Sequence, residues 1–224
     1  MFDNAERKRA RLLNKVADTM SVRTYNIALG ILVLYGFIVN AIIVGVADDF
    51  FLRVSPVVFL IGYFVSALIG CILSAVSSNP FVSFVGYNFV VVPIGALLSI
   101  CLRAYELGDV FSAIAVTGFV VAVMLLWAII MPNFFAGMGR TLFFSLLIGI
   151  IAEFVAHLMG YGGDIFNWFF VIIFSLYIGY DWCKAQSYSK TLDNAVDSAL
   201  DIYLDIINLF IRILEIMGKS KSDD

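Results

Sequence analysis

Apolar residues run in long unbroken stretches along this chain, and polar residues gather in the short gaps between them. The stretches cover roughly residues 25–47, 54–76, 81–103, 110–131, 141–159 and 165–183. Each is close to the 20 or so apolar residues that a helix needs to cross a hydrocarbon core about 30 Å thick. Unbroken runs of that length predict helices, because barrel strands would alternate polar and apolar over about ten residues. The separators, 48–53, 77–80, 104–109, 132–140 and 160–164, carry charge, Pro, Gly or Asn, as turns between packed helices do.

A seventh apolar stretch, about 196–217, differs in kind. Asp197, Asp201, Asp205, Asn208, Arg212 and Glu215 recur within it at helical spacing. At 100° per residue these six fall within an arc of about 80° on an otherwise apolar cylinder. Three readings fit such a stripe. A helix lying flat at the interface would want a wider, more basic face. A spanning helix with acids paired only for packing is the second. The third is a spanning helix whose stripe faces a polar, protein-lined cavity, since ionisable groups in a bilayer are costly and usually mark ion or proton paths.

Composition agrees with a membrane chain. Of 224 residues, 62% are apolar and only 14% charged, and mean hydropathy is +0.99. Not one charged side chain lies between Arg53 and Arg103, which leaves too little polar covering for a water-soluble domain of this size. A net charge of −3 gives no footprint for nucleic acid. Cys71, Cys101 and Cys183 form no CxxC or Cys–His cluster and read as small buried hydrophobes.

The fold predicted is an all-α polytopic membrane protein with seven transmembrane helices. It is read as a basic cytoplasmic lead at 1–24, one transmembrane domain at 25–217 and a short polar tail at 218–224. The first stretch is long, follows a 24-residue lead and shows no small-x-small pattern, so it reads as a span and not a cleaved signal. The lead holds Arg7, Lys8, Arg9, Arg11, Lys15 and Arg23. Starting it in the cytoplasm also puts Arg140, Lys184 and Lys190 inside, and leaves Arg53 and Arg103 in outer loops rich in acids.

Within the spans, few residues carry chemistry. Asp181 is the one acid at the far end of the sixth stretch, and Asp205 sits deep in the seventh. If the two approach, they share a proton and titrate as a pair. Oxygen ligands of this kind suit a pH-dependent switch or a hard cation such as Ca²⁺. Arg212 has several candidate partners: Asp205, Glu215 or an acid on another helix, of which Glu153 is one. Glu153 and His157 lie four apart on one helical face. Asn40, Asn88 and Asn167 read as helix-to-helix hydrogen bonders.

Enzyme chemistry is not indicated. There is no nucleophile elbow, zinc-binding His-Glu-x-x-His pattern or phosphate-cradling loop. Gly179-Tyr180-Asp181 and Gly160-Tyr161-Gly162-Gly163-Asp164 look superficially like the aspartate motifs of presenilin-type proteases, but their order is reversed and the glycine motif lies in a turn. A proton-coupled transporter would be a further class, but no internal repeat is visible.

The carboxy-terminal third resembles the Bax inhibitor-1 family, in its bacterial form. The resemblance rests on Leu176-Tyr177-Ile178-Gly179-Tyr180-Asp181, on Tyr203-Leu204-Asp205-Ile206-Ile207-Asn208-Leu209-Phe210, and more loosely on Gly95-Ala96-Leu97-Leu98 and Thr117-Gly118-Phe119. It implies six helices around a central seventh. It also implies a paired-aspartate gate, Asp181 and Asp205, for a pH-sensitive passive Ca²⁺ leak, with lipid, Ca²⁺ and H⁺ as partners and no cofactor. Localisation would be a bacterial inner membrane. A non-conducting regulator of a membrane protease is the alternative it carries. Bacterial members place a latching arginine near the end of the second helix, and residues 54–76 contain none. Lys184 is the base nearest in sequence to Asp181, ahead of Lys190 and Arg140.

Overall fold

A computed structural model describes residues 19–46, 51, 54–161 and 163–219, with the Lys219 side chain left aside. The lead bases Arg7 to Lys15, together with Asp48, Asp49, Arg53 and the tail beyond Lys219, lie outside the described residues. Among the described residues, eight helices follow in chain order: α1 Val22–Val46, α2 Pro56–Val76, α3 Pro80–Cys101, α4 Leu107–Ile130, α5 Pro132–Ala136, α6 Gly139–Leu158, α7 Asp164–Ser187 and α8 Leu192–Lys219. A 3₁₀ turn, Leu102–Ala104, closes α3. Six of them, all but α5 and α8, are long and apolar enough to cross a membrane. The chain is a polytopic membrane protein.

Local chemistry sets the ends. Pro56 and Pro80 occupy the first turns of α2 and α3, where a missing N–H costs nothing. Asn79 caps α3 by accepting from the Phe81 amide at 3.0 Å. At the end of α6, the Gly160 amide reaches the His157 carbonyl and the Tyr161 amide the Ala156 carbonyl, a Schellman closure. That closure needs the left-handed backbone of Gly160, φ +78°. The short helix α5, which hydropathy alone reads as part of a turn, starts at Pro132 and drives Phe135 fully inside.

The chain divides into two compact units. The first takes in the chain through Ala104 together with Ser187–Asp201. Its α2 and α3 meet at Gly70 and Gly86, where a Cβ on Gly70 would stand 2.5 Å from the Gly86 carbonyl oxygen. Small residues let membrane helices approach this closely. Pro93 sits inside α3 and cannot donate to the Phe89 carbonyl one turn back; Ser66 Oγ of α2 donates to that carbonyl at 2.7 Å. Such re-satisfaction of freed backbone is what tolerates proline within a membrane helix. Asn88 accepts from the Tyr35 hydroxyl at 2.7 Å and so ties α1 to α3, as expected of a single amide in a span.

The second unit takes in Tyr105–Gln186 and the chain from Ile202 onward. It also packs through glycines. Phe135 of α5 lies against Gly179 of α7, Tyr180 against Gly139 of α6, and Phe169 against Gly149. The first two contacts involve Gly179 and Tyr180, the two residues just before Asp181 on α7.

The last helix, α8, inverts the pattern of the others. Where α1, α2 and α6 expose much of their apolar surface, α8 buries nearly every position from Asp193 to Leu214 or leaves it only partly open. At 28 residues it is long enough to span, and its charge alone sets it apart from the six apolar helices.

Candidate functional site

The polar stripe of α8 is shared between the two units, and its parts are solvated differently. In the first unit, Asp193 and Asp197 are each 3% exposed. Ser83 Oγ donates to Asp193 Oδ1 at 2.6 Å, and Ser74 Oγ donates to Asp197. Both serines lie beside the Gly70–Gly86 contact, Ser74 one turn beyond Gly70 and Ser83 three residues before Gly86. Close approach of α2 and α3 thus delivers two hydroxyls to two buried carboxylates. Buried charge is tolerable only when hydrogen-bonded in this way. Asp201 lies within electrostatic reach of Cys71 in the same unit. Asp193 was not part of the predicted stripe; its spacing, four residues before Asp197, extends the same face by one turn.

Beside these acids, the Tyr25 hydroxyl meets Asn194 O at 3.3 Å and Ser198 Oγ at 3.2 Å. The Lys190 ammonium stands 4.7 Å from the centre of the Tyr25 ring. Lys190 belongs to the α7–α8 turn, and burial lowers its amine below the ordinary lysine value. A ring face stabilises the charge that burial disfavours.

In the second unit, Asp181 and Asp205 are 8% and 7% exposed. Asp181 lies 6 positions before the end of α7 and Asp205 13 positions after the start of α8. A straight antiparallel hairpin would therefore leave Asp205 about 10 Å deeper than Asp181. Tyr177 lies one turn before Asp181 on α7, and its charge state is coupled electrostatically to both carboxylates. The base beside them is Lys184, with Nζ 3.6 Å from Asp181 Oδ1 and 5.9 Å from the Tyr180 ring centre. Arg140 is exposed.

Two turns beyond Asp205 on the same face of α8, Arg212 is held from several sides. Its Nη1 donates to Glu153 Oε1 at 2.6 Å and its Nη2 to Glu153 Oε2 at 2.8 Å, a bidentate pair with α6. Nη1 also donates to Asn167 Oδ1 of α7 at 2.8 Å and reaches Glu215 Oε2 at 3.5 Å. Its guanidinium lies over the Phe170 ring, 4.4 Å from the centre. Asn167 lies 20 positions before the end of α7 and Arg212 20 positions after the start of α8, so the hairpin register aligns them. Of the partners open to Arg212 in the sequence, the structure pairs it with Glu153 and, at longer range, Glu215. His157, one turn beyond Glu153, is exposed in the last turn of α6. Asn208 spends its amide on the Leu204 carbonyl of its own helix, at 2.7 Å.

Among the described residues, no three His, Cys, Asp or Glu side chains converge as a metal site. The Asp181–Asp205 region holds two carboxylates with the Tyr177 phenol and the Lys184 ammonium near them. Such a set suits proton exchange and attraction of a cation.

The family model described as Inhibitor of apoptosis-promoting Bax1 matches residues 13–222. An uncharacterized protein of Helicobacter pylori strain J99 is 32% identical over 145 residues, which cover 62% of this chain and 61% of the relative. A counterpart from Helicobacter pylori strain ATCC 700392 / 26695 is 31% identical over the same shares. The matched region thus spans 61% of the length of these relatives. With a match over nearly its whole length, the chain belongs to the Bax inhibitor-1 family.

Proposed function

We propose that this protein is a passive, pH-sensitive Ca²⁺ leak of a bacterial inner membrane, without enzymatic activity, gated by Asp181 and Asp205. The observation that carries the reading is the burial of two carboxylates, Asp181 and Asp205, in one unit, with the Lys184 ammonium 3.6 Å from Asp181. Two buried acids that approach one another share a proton and titrate as a unit, so on this reading their net charge changes with pH in coupled steps. Protonated, the pair offers no attraction to a divalent cation. Ionised, it attracts one and repels itself, and that repulsion loosens the packing of α8 against α7. Lys184 takes the part of the base that bacterial relatives supply from the second helix, and its 3.6 Å approach to Asp181 supports that role. Orientation with the amino terminus in the cytoplasm puts Lys184 and Asp181 at the cytoplasmic end of α7.

A non-conducting regulator bound to a membrane protease is the second reading. Its support is the large exposed apolar surface of α1, α2, α4 and α6, which lipid or a partner helix can cover. Purified protein in vesicles loaded with a Ca²⁺ dye separates the two. Flux that depends on pH between 5 and 8, and changes with Asp205→Asn, supports the leak. Flux no greater than that of empty vesicles at any pH overturns it.

A further inference from the structure

We infer that a groove along α3, beside Ser66 of α2, seats one acyl chain of a membrane phospholipid. The groove lies within the first unit, apart from the aspartate pair, and the inference does not rest on the leak reading. Its volume is about 430 Å³, within the range of small-molecule sites. Phe81, Phe84 and Phe89 are its bulky lining residues, and Val85, Val92 and Pro93 its smaller ones. From Phe81 to Pro93 these positions recur at three- and four-residue spacing, so they form one face of α3. Twelve helical steps cover about 18 Å, close to the roughly 15 Å that one leaflet contributes to the hydrocarbon core. A chain lying along that face is matched in length to one leaflet.

Two polar side chains also line the groove, and both are committed within the protein. Ser66 Oγ donates to the Phe89 carbonyl at 2.7 Å. Asn88 Oδ1 accepts from the Tyr35 hydroxyl at 2.7 Å, and its Nδ2 donates to the Phe84 carbonyl at 2.8 Å. What these residues leave for a ligand is apolar contact, which suits a run of methylenes. The groove is continuous with the lipid-facing surface: Phe81, Phe89 and Val92 are exposed, and α2 and α3 are both long and apolar enough to span. Inside a bilayer, an empty hollow forfeits dispersion contacts, and a chain already in the leaflet restores them. Next to the Phe81 end, the α2–α3 turn reads Ser77-Ser78-Asn79-Pro80. That turn holds no base, so it offers a fatty-acid carboxylate no charged partner, whereas the ester of a phospholipid needs none.

Photolabelling tests this. The full chain is reconstituted in vesicles of phosphatidylcholine with a diazirine midway along one acyl chain, and labelled residues are mapped by peptide mass spectrometry. Label should concentrate on residues 81–93 above the exposed face of α1 that holds Ile31, Leu34 and Ile38. Val85→Trp and Val92→Trp each fill the hollow and should abolish that excess, so either carries the test if the other does not fold. Ile38→Trp, on the outer face of α1, should leave it unchanged. Label spread evenly over the exposed faces of α1 and α3, or an excess that survives both groove substitutions, overturns the inference. So does a wild-type groove that stays unlabelled while α1 is labelled, the result expected if another protein chain covers it. An excess obtained only with the free diazirine fatty acid overturns the assignment to a phospholipid.

Discussion

One helix, α8, carries acids into both units of the molecule, and the two units neutralise them by different means. In the first unit, Asp193 and Asp197 accept hydrogen bonds from serine hydroxyls that the Gly70–Gly86 contact brings close. In the second, Arg212 is held by a carboxylate pair, and Asp181 has an ammonium beside it. A hydroxyl stabilises a carboxylate without cancelling its charge, and it does not titrate. An ion pair cancels charge and ties the protonation of one partner to the other. The serine-held acids therefore hold α8 within the first unit, whereas under the proposed function the charge-paired acids are the part that responds to protons and ions.

The comparison breaks most sharply at Arg212. Arg212→Met strands Glu153 beside an apolar chain, and should cost about 2–4 kcal/mol, read as a drop in thermal unfolding temperature in detergent. Glu153→Gln/Arg212→Met should recover a good part of that loss, because a stranded charge costs more than an absent pair. Equal destabilisation in the single and double variants would show that the side chain acts through packing alone.

A somewhat smaller effect tests the first unit. Gly70→Ala puts a methyl against the Gly86 carbonyl, and forcing α2 from α3 should cost about 1–3 kcal/mol. Ser74→Ala keeps the helices together but withdraws the hydroxyl from Asp197, at about 1–2 kcal/mol. Neither should alter the pH dependence of flux. A shifted pH profile in Ser74→Ala would erase the division drawn between the units. The smallest effect is expected from Lys190→Gln in the α7–α8 turn. Loss of the charge over Tyr25 removes a contact worth about 0.5–1 kcal/mol. Relief of the burial that lowers its amine offsets part of that, so the change should stay under about 1 kcal/mol.

Much of this was legible in the sequence. The six apolar helices follow from hydropathy, because a bilayer demands long unbroken apolar runs. The face of α8 follows from its spacing, which is a local property of one helix. Three features were not legible, each because it depends on contacts remote in the chain. Ser74 and Ser83 are ordinary small residues until a glycine seam aims them at α8. Arg212 had several acids in reach on paper, and only the register of α7 and α8 with α6 selects Glu153. The helix Pro132–Ala136 is too short for periodicity to mark, yet its Phe135 packs on Gly179 beside Asp181. Capping chemistry accounts for the residual differences in helix ends: α2 starts at Pro56 and α7 at Asp164, each a residue favoured in a first turn.

The coupling of Asp181 and Asp205 is tested most directly by Ca²⁺ flux measured from pH 5 to 8 in four proteins: wild type, Asp181→Asn, Asp205→Asn and the double variant. Coupling predicts that each single substitution changes the pH profile and that the double variant loses the pH dependence altogether, with no additive pattern. Profiles left unchanged by both single substitutions, or a double variant that titrates as wild type does, would contradict it.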